Sequence, residues 1–164
     1  MQSAAVDIGA KALQIPAGAH EVWWLDSRDD VKLTASHTDG RAGMWIWVAR
    51  RGAASPLHMH HREEEQFLVT EGQARFTIGE QTLDAGPGDL VFLPREVPHA
   101  YLITSDTARV VGTVTPGGFE TFFTDLGTPV VPGAPEAPPP AIEAMTATAA
   151  RYGIEILGPP PHLD

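Results

Sequence analysis

The sequence contains no cysteine. That absence excludes disulfides, thiolate nucleophiles and every zinc or iron–sulfur site built on sulfur. Positive charge is also scarce. Eleven Lys and Arg stand against 21 Asp and Glu, for a formal net charge of −10. So acidic a chain repels phosphate backbones, which argues against nucleic acid as a partner. No stretch approaches the roughly 18 consecutive apolar residues of a transmembrane helix, so no membrane span is expected. Residues 1–11 (MQSAAVDIGAK) lack the basic and apolar regions of a secretory signal. The expected location is the cytoplasm. Turn formers, by contrast, are plentiful: Gly 16 and Pro 15 in 164 residues. That share exceeds average usage and points to many short strands rather than long helices.

The length suits one domain over 1–164. From about residue 15 to 127, short apolar runs rich in Val, Ile, Phe and Trp alternate with Gly, Pro and Asp punctuation. The expected strands are Glu21–Leu25, Val31–Ser36, Gly43–Ala49, Leu57–His60, Glu65–Thr70, Ala74–Ile78, Gln81–Asp84, Leu90–Pro94, His99–Thr104 and Arg109–Thr115. Many short strands at this spacing make an all-β barrel or sandwich. Residues 128–164 read as a Pro-rich linker, a short helix and a tail. Ile142, Met145, Ala149 and Tyr152 recur at helical spacing, and Gly153 suits the left-handed position after the helix.

Four of the seven histidines lie between Leu57 and His99. On a strand, residues two apart share a face. His58 and His60 therefore point together, ready to chelate one ion, and His61 points away. Arg62 to Glu64 reads as a solvated turn that resets the parity and brings Glu65 onto the next strand, beside Phe67 and Val69. Glu64 is the reserve ligand, and Glu63 is read as solvated. Pro94 to Pro98 forms a second turn, which delivers His99 to a strand face shared with Tyr101 and Ile103. Imidazoles plus a carboxylate suit Fe, Ni, Mn, Zn or Cu rather than Ca or Mg. His20, His37 and His162 have no partner pattern and are read as surface residues.

Two spacings carry a resemblance. His58-x-His60-x4-Glu65-x6-Gly72 resembles the first cupin motif, and Gly88-x5-Pro94-x4-His99 resembles most of the second. The resemblance implies a cupin β-barrel of the jelly-roll type with one central divalent metal, held by His58, His60, Glu65 and His99. Two positions depart from the pattern. Glu96 stands where Gly is usual, which asks whether the turn needs positive φ. Ile103 stands where Asn is frequent. Val22-Trp23-Trp24-Leu25, Pro56-Leu57-His58, the stretch from Thr115 to Phe123 and Arg151-Tyr152-Gly153-Ile154 are similar to single-cupin proteins of the quercetin 2,3-dioxygenase type. The length has room for one barrel only, so the single-cupin form is expected.

Phe67, Phe76, Tyr101 and Phe119 are the expected substrate-binding residues. Trp45 and Trp47 share one face of their strand, with Met44, Ile46 and Val48 on the other. Only Arg62 and Arg95, both in turns, lie near the histidines, which argues against a strongly anionic substrate. The leading expectation is a metal-dependent dioxygenase acting on a flavonol-like or other enolisable aromatic compound, with Glu65 as both ligand and general base. The alternatives are a non-oxidative cyclase or isomerase of a polyketide-like metabolite, and a ligand-binding cupin without turnover. The resemblance also implies a homodimer.

Overall fold

A computed structural model describes residues 13–163. Its strands form two sheets that close on a shared apolar interior. The larger sheet begins with β1 (Glu21–Trp24), β2 (Ser27–Leu33) and β3 (Gly43–Arg50). The smaller sheet takes β4 (Leu57–His60), and the larger takes β5 (Glu64–Glu71). The chain then forms β6 (Ala74–Ile78) and β7 (Gln81–Ala85), followed by β8 (Leu90–Leu93), β9 (His99–Ile103) and β10 (Thr107–Thr115). Two late strands, β11 (Thr128–Pro129) and β12 (Ile154–Gly158), complete the set. The sheet orders are β11-β1-β2-β3-β10-β5-β8 and β12-β4-β9-β6-β7. Every strand pair is antiparallel. This is the all-β architecture expected from the spacing of the turns.

Period-two burial explains why these segments are strands. In β3 the inward set is Gly43, Trp45, Trp47 and Ala49, and Val48 is exposed. In β10 the inward set is Ala108, Val110, Gly112 and Val114. Gly112 pairs with Trp45, and a Cβ at Gly112 would lie 2.5 Å from the indole. Glycine here makes room for the tryptophan. Trp45 and Trp47 are each 2% exposed. Full burial of one large apolar side chain stabilises the fold by about 1.5–3 kcal/mol.

Apart from shifts of one or two residues at strand ends, four features differ from expectation. β2 starts at Ser27 and stops at Leu33, so Val31–Ser36 is not a strand throughout. Ala35–Thr38 is instead a single helical turn, α1. Glu120 accepts a hydrogen bond from the Ala35 N–H at 2.6 Å, and the Thr34 N–H donates to His37 Nδ1 at 3.2 Å. These bonds favour the turn over extension. The second difference is a helix, α2 (Thr121–Leu126), inside the segment read as barrel core. Its short length gave no helical repeat to detect. Third, β11 pairs with β1 inside the segment read as linker. Fourth, β12 pairs with β4, so the tail supplies a barrel strand. The helix α3 (Ile142–Arg151) falls where the periodicity placed it, with Met145 and Ala149 buried. Among the described residues no helix is long and apolar enough to cross a membrane.

Candidate metal centre

β4, β5 and β9 bring four side chains together. His58 and His60 come from β4, Glu65 from β5 and His99 from the first position of β9. His58 lies directly across from His99 in the β4–β9 pair. Their rings are 4.4 Å apart, and the His58 and His60 rings are 5.2 Å apart. Glu65 Oε2 lies 2.9 Å from His99 Nε2 and 3.3 Å from His60 Nε2. One ligand atom from each of the four residues falls within 4.8 Å of the others. His60, Glu65 and His99 are buried.

The outer nitrogens show that the rings are oriented for this purpose. His58 Nδ1 lies 2.8 Å from the Pro56 carbonyl, and His99 Nδ1 lies 2.9 Å from the Val97 carbonyl. His60 Nδ1 lies 3.4 Å from Glu63 Oε2. An oxygen at Nδ1 places the proton there and leaves the Nε2 lone pair facing the cluster. His60 Nε2 is a buried polar atom with no hydrogen-bond partner among the described residues. A buried nitrogen left in that state is costly unless something coordinates it. The donor set and this orphaned atom fit one divalent transition metal.

The groups of the cluster also act on one another's protonation. Burial, helped by the neighbouring His99 and His60, pushes His58 down to about 3, so its lone pair is available. Burial works against ionised Glu65. The charges of His60, His99 and His58 and the His99 hydrogen bond outweigh it and hold the carboxyl at about 2. Burial also disfavours charge on His60, but Glu65 and Glu63 outweigh it and raise its pKa.

Two expectations about neighbouring acids resolve differently. Glu63, read as solvated, is only 1% exposed. Its chain position is in the turn, but the turn folds inward and its carboxylate supports His60. Glu64, the reserve ligand, instead pairs with Arg95 at 3.4 Å and is absent from the cluster. His61 points outward as its parity requires, between Glu96 and Glu155 at 3.1 Å each. Glu96 has φ 63°, so the turn does use the left-handed region without a glycine. Its N–H donates to the His60 carbonyl at 2.8 Å and ties the turn to β4.

The cluster opens on a cavity of about 60 Å³. Phe67, Tyr101 and Phe119 line it, as do Trp45 and Trp47. Phe76 does not line it. It is fully buried and stacked behind Phe67, with centroids 5.8 Å apart. Phe119 packs edge-on against the His60 ring at 4.6 Å. Arg62 and Arg95 do not reach the cavity. Sequence reasoning missed Asp29, a buried acid that lines the wall. The signal was available: Ser27, Asp29 and Val31 alternate on one face. The expected strands leave Ser27 to Asp30 outside any element.

Comparison with known proteins agrees with this geometry. The family described as "Cupin domain" matches residues 45–115. Quercetin 2,3-dioxygenase of Bacillus subtilis (strain 168) is 34% identical over 116 residues. That match covers 68% of this chain and 34% of the relative, so the chain spans about a third of the curated relative's length. Two solved structures share the fold. KdgF from Halomonas sp. superposes with a TM-score of 0.52 at 16% identity, covering 57% of this chain and 81% of that one. Oxalate decarboxylase from Bacillus subtilis gives 0.52 at 23% identity, covering 60% and 27%. Paired histidine motifs, a closed antiparallel fold and these matches converge: the chain is a cupin, similar to quercetin 2,3-dioxygenase.

Proposed function

We propose that this cupin is a metal-dependent dioxygenase acting on an enolisable, hydroxylated aromatic compound of the flavonol-like class. His58, His60, Glu65 and His99 are its ligands. The observation that carries the reading is the juxtaposition of an ionised Glu65, held by His60 and His99, with an apolar cavity walled by aromatic rings. A bound divalent metal supplies Lewis acidity that makes a substrate hydroxyl more acidic. Glu65 accepts that hydroxyl proton at its carboxylate, the role of a general base. Its low pKa makes it a weak base, so the transfer depends on an acidified hydroxyl. Phe67, Phe119 and Tyr101 orient the substrate ring and exclude water. Among the described residues no Lys or Arg lines the cavity, which fits an uncharged ligand. The cavity is small beside the roughly 300 Å³ at the lower end of drug-sized sites. A three-ring flavonol therefore requires the aromatic wall to move, and a smaller phenolic ring does not. The working form in this reading is a cytoplasmic homodimer.

The test combines metal analysis of protein purified without chelators with substrate loss measured in air and under argon. Oxygen-dependent bleaching of quercetin, or of a smaller enolisable phenol, is expected. Glu65→Ala should abolish turnover even where the three histidines retain metal. Full activity in that variant removes Glu65 from the chemistry. A non-oxidative cyclisation or isomerisation is the second reading, favoured by the protonatable Asp29 in the same wall. Substrate loss that continues under argon would select it.

A further inference from the structure

Five acids among the described residues are buried: Asp29, Asp30, Glu63, Glu65 and Glu120. Four of them are accounted for. Asp30 accepts from the Gly18 and His20 N–H groups and pairs with Lys32. Glu120 accepts from the Ala35 and Gly118 N–H groups. Glu63 and Glu65 serve the histidine cluster. Asp29 is different. Among the described residues its only hydrogen-bond partner is the Ser27 hydroxyl, and only Oδ1 is engaged. Yet it is 2% exposed and lines the aromatic cavity.

Counting protons shows what this carboxyl presents. The Ser27 hydroxyl lies 2.7 Å from the Trp24 carbonyl and also contacts Asp29 Oδ1. A hydroxyl has one proton to donate. If it goes to Trp24, the contact with Asp29 needs a proton on Asp29 itself. Burial pushes Asp29 up to about 8, so the neutral acid persists at pH 7. Its second oxygen, Oδ2, then remains as a carbonyl-type acceptor with no donor among the described residues, on a residue that lines the cavity. A ligand hydroxyl entering the cavity would supply the missing donor.

Asp29 also lies far from the histidine cluster along the strands. It pairs with Trp47, which pairs with Val110 on β10, whereas Glu65 pairs with Val114. Val110 and Val114 are separated along β10 by about 13 Å at ordinary strand rise. Tyr101 and Ser55 line the same cavity. The wall thus carries carboxyls at two separated places.

We propose that Asp29 is a second recognition group of this cavity, accepting a hydrogen bond from a hydroxyl carried by an aromatic ligand away from the end that faces His58, His60, Glu65 and His99. The ligand class is therefore an uncharged aromatic compound with at least two oxygen substituents on separate edges. This rests on the aromatic-ligand reading above, but not on any reaction with dioxygen.

Binding can be read without turnover. Zinc-loaded protein is titrated under argon, following the fluorescence of the cavity tryptophans. Two matched pairs serve as probes: phenol against resorcinol, and a biphenyl with one terminal hydroxyl against a biphenyl with a hydroxyl at each end. In at least one pair the dihydroxy compound should bind wild-type protein about tenfold more tightly, equivalent to about 1.4 kcal/mol. Asp29→Leu should erase that preference, so that the two members of each pair bind within about twofold of one another. Asp29→Asn, whose amide oxygen still accepts, should keep it. Circular dichroism reports folding, and Asp29→Ala replaces the leucine variant if that one unfolds. Equal affinities within both pairs, a preference that survives removal of the carboxyl, or no binding of any probe would overturn the proposal. A preference that depends on Asp29 without oxygen uptake in air would overturn only the dioxygenase reading.

Discussion

Glu63→Ala should weaken metal binding by about tenfold, although Glu63 is not itself a proposed ligand. Its carboxylate is 1% exposed, and Oε2 lies 3.4 Å from His60 Nδ1. Carboxylates in this outer position fix the imidazole tautomer and raise the basicity of the ligating nitrogen. Their loss commonly costs about 10- to 100-fold in affinity. A separation of 3.4 Å is long for a hydrogen bond, so the effect belongs at the lower end. Tenfold corresponds to about 1.4 kcal/mol. The alanine variant also strands a fully buried His60 N–H, which should cost about 1–3 kcal/mol of folding stability even without metal.

The two effects separate experimentally. Metal affinity is measured by competition with a chromophoric chelator at fixed pH, and stability by urea unfolding of the metal-free protein. Glu63→Gln keeps an acceptor oxygen at the same place and should bind metal within about threefold of wild type. Wild-type affinity in Glu63→Ala would refute the orienting role. Equal losses in the Gln and Ala variants would show that negative charge, not the hydrogen bond, is what matters.

Three further outcomes follow from the same geometry. Asp29 has its folded-state pKa raised from 3.8 to about 8, so its neutral form favours folding at low pH and that advantage is lost as pH rises from about 4 through 8. Relative to wild type, Asp29→Asn should therefore gain stability by up to about 1.4 kcal/mol per pH unit between pH 5 and 8; urea melts whose difference is independent of pH would contradict this. Gly112→Ala drives a Cβ to 2.5 Å from the Trp45 indole and should cost about 1–3 kcal/mol, read as a lower melting temperature; an unchanged melting temperature would show that the tryptophan can move aside. A divalent metal at a hundredfold excess over its dissociation constant should stabilise the wild type by about 2.7 kcal/mol, and His58→Ala should lose most of that increment in thermal melts.

The parts legible in the sequence were those governed by local periodicity. His58 and His60 share a face because strand side chains alternate, and the β4–β9 pairing, with β5 in the other sheet, preserves that relation. The turn after His61 was legible as a turn, which let Glu65 be placed on the inner face of β5 despite its odd spacing. The same logic failed where the determining contact is distant in sequence. β12 is a strand because β4 offers it an edge almost a hundred residues earlier, and no composition signal in a Pro-punctuated tail carries that information. α1 ends a strand because Glu120 reaches the Ala35 N–H, a contact spanning 85 residues.

The two acids that were misread or missed share a cause. Glu63 sits in a polar turn and Asp29 in a run of Ser, Arg and Asp, and polarity in such places normally means solvent. Each is buried because a specific group receives it: the His60 N–H for Glu63, the Ser27 hydroxyl for Asp29. The cost of burying a carboxyl is repaid at single atoms, and a pattern averaged over a strand cannot register a single atom. The misreadings therefore fall beside the proposed chemistry rather than at random. Positions that break local rules are expected where function rather than folding selects the residue. On that argument, Asp29 belongs with the ligand-binding wall and Glu63 with the metal centre, and the variants above test each assignment separately.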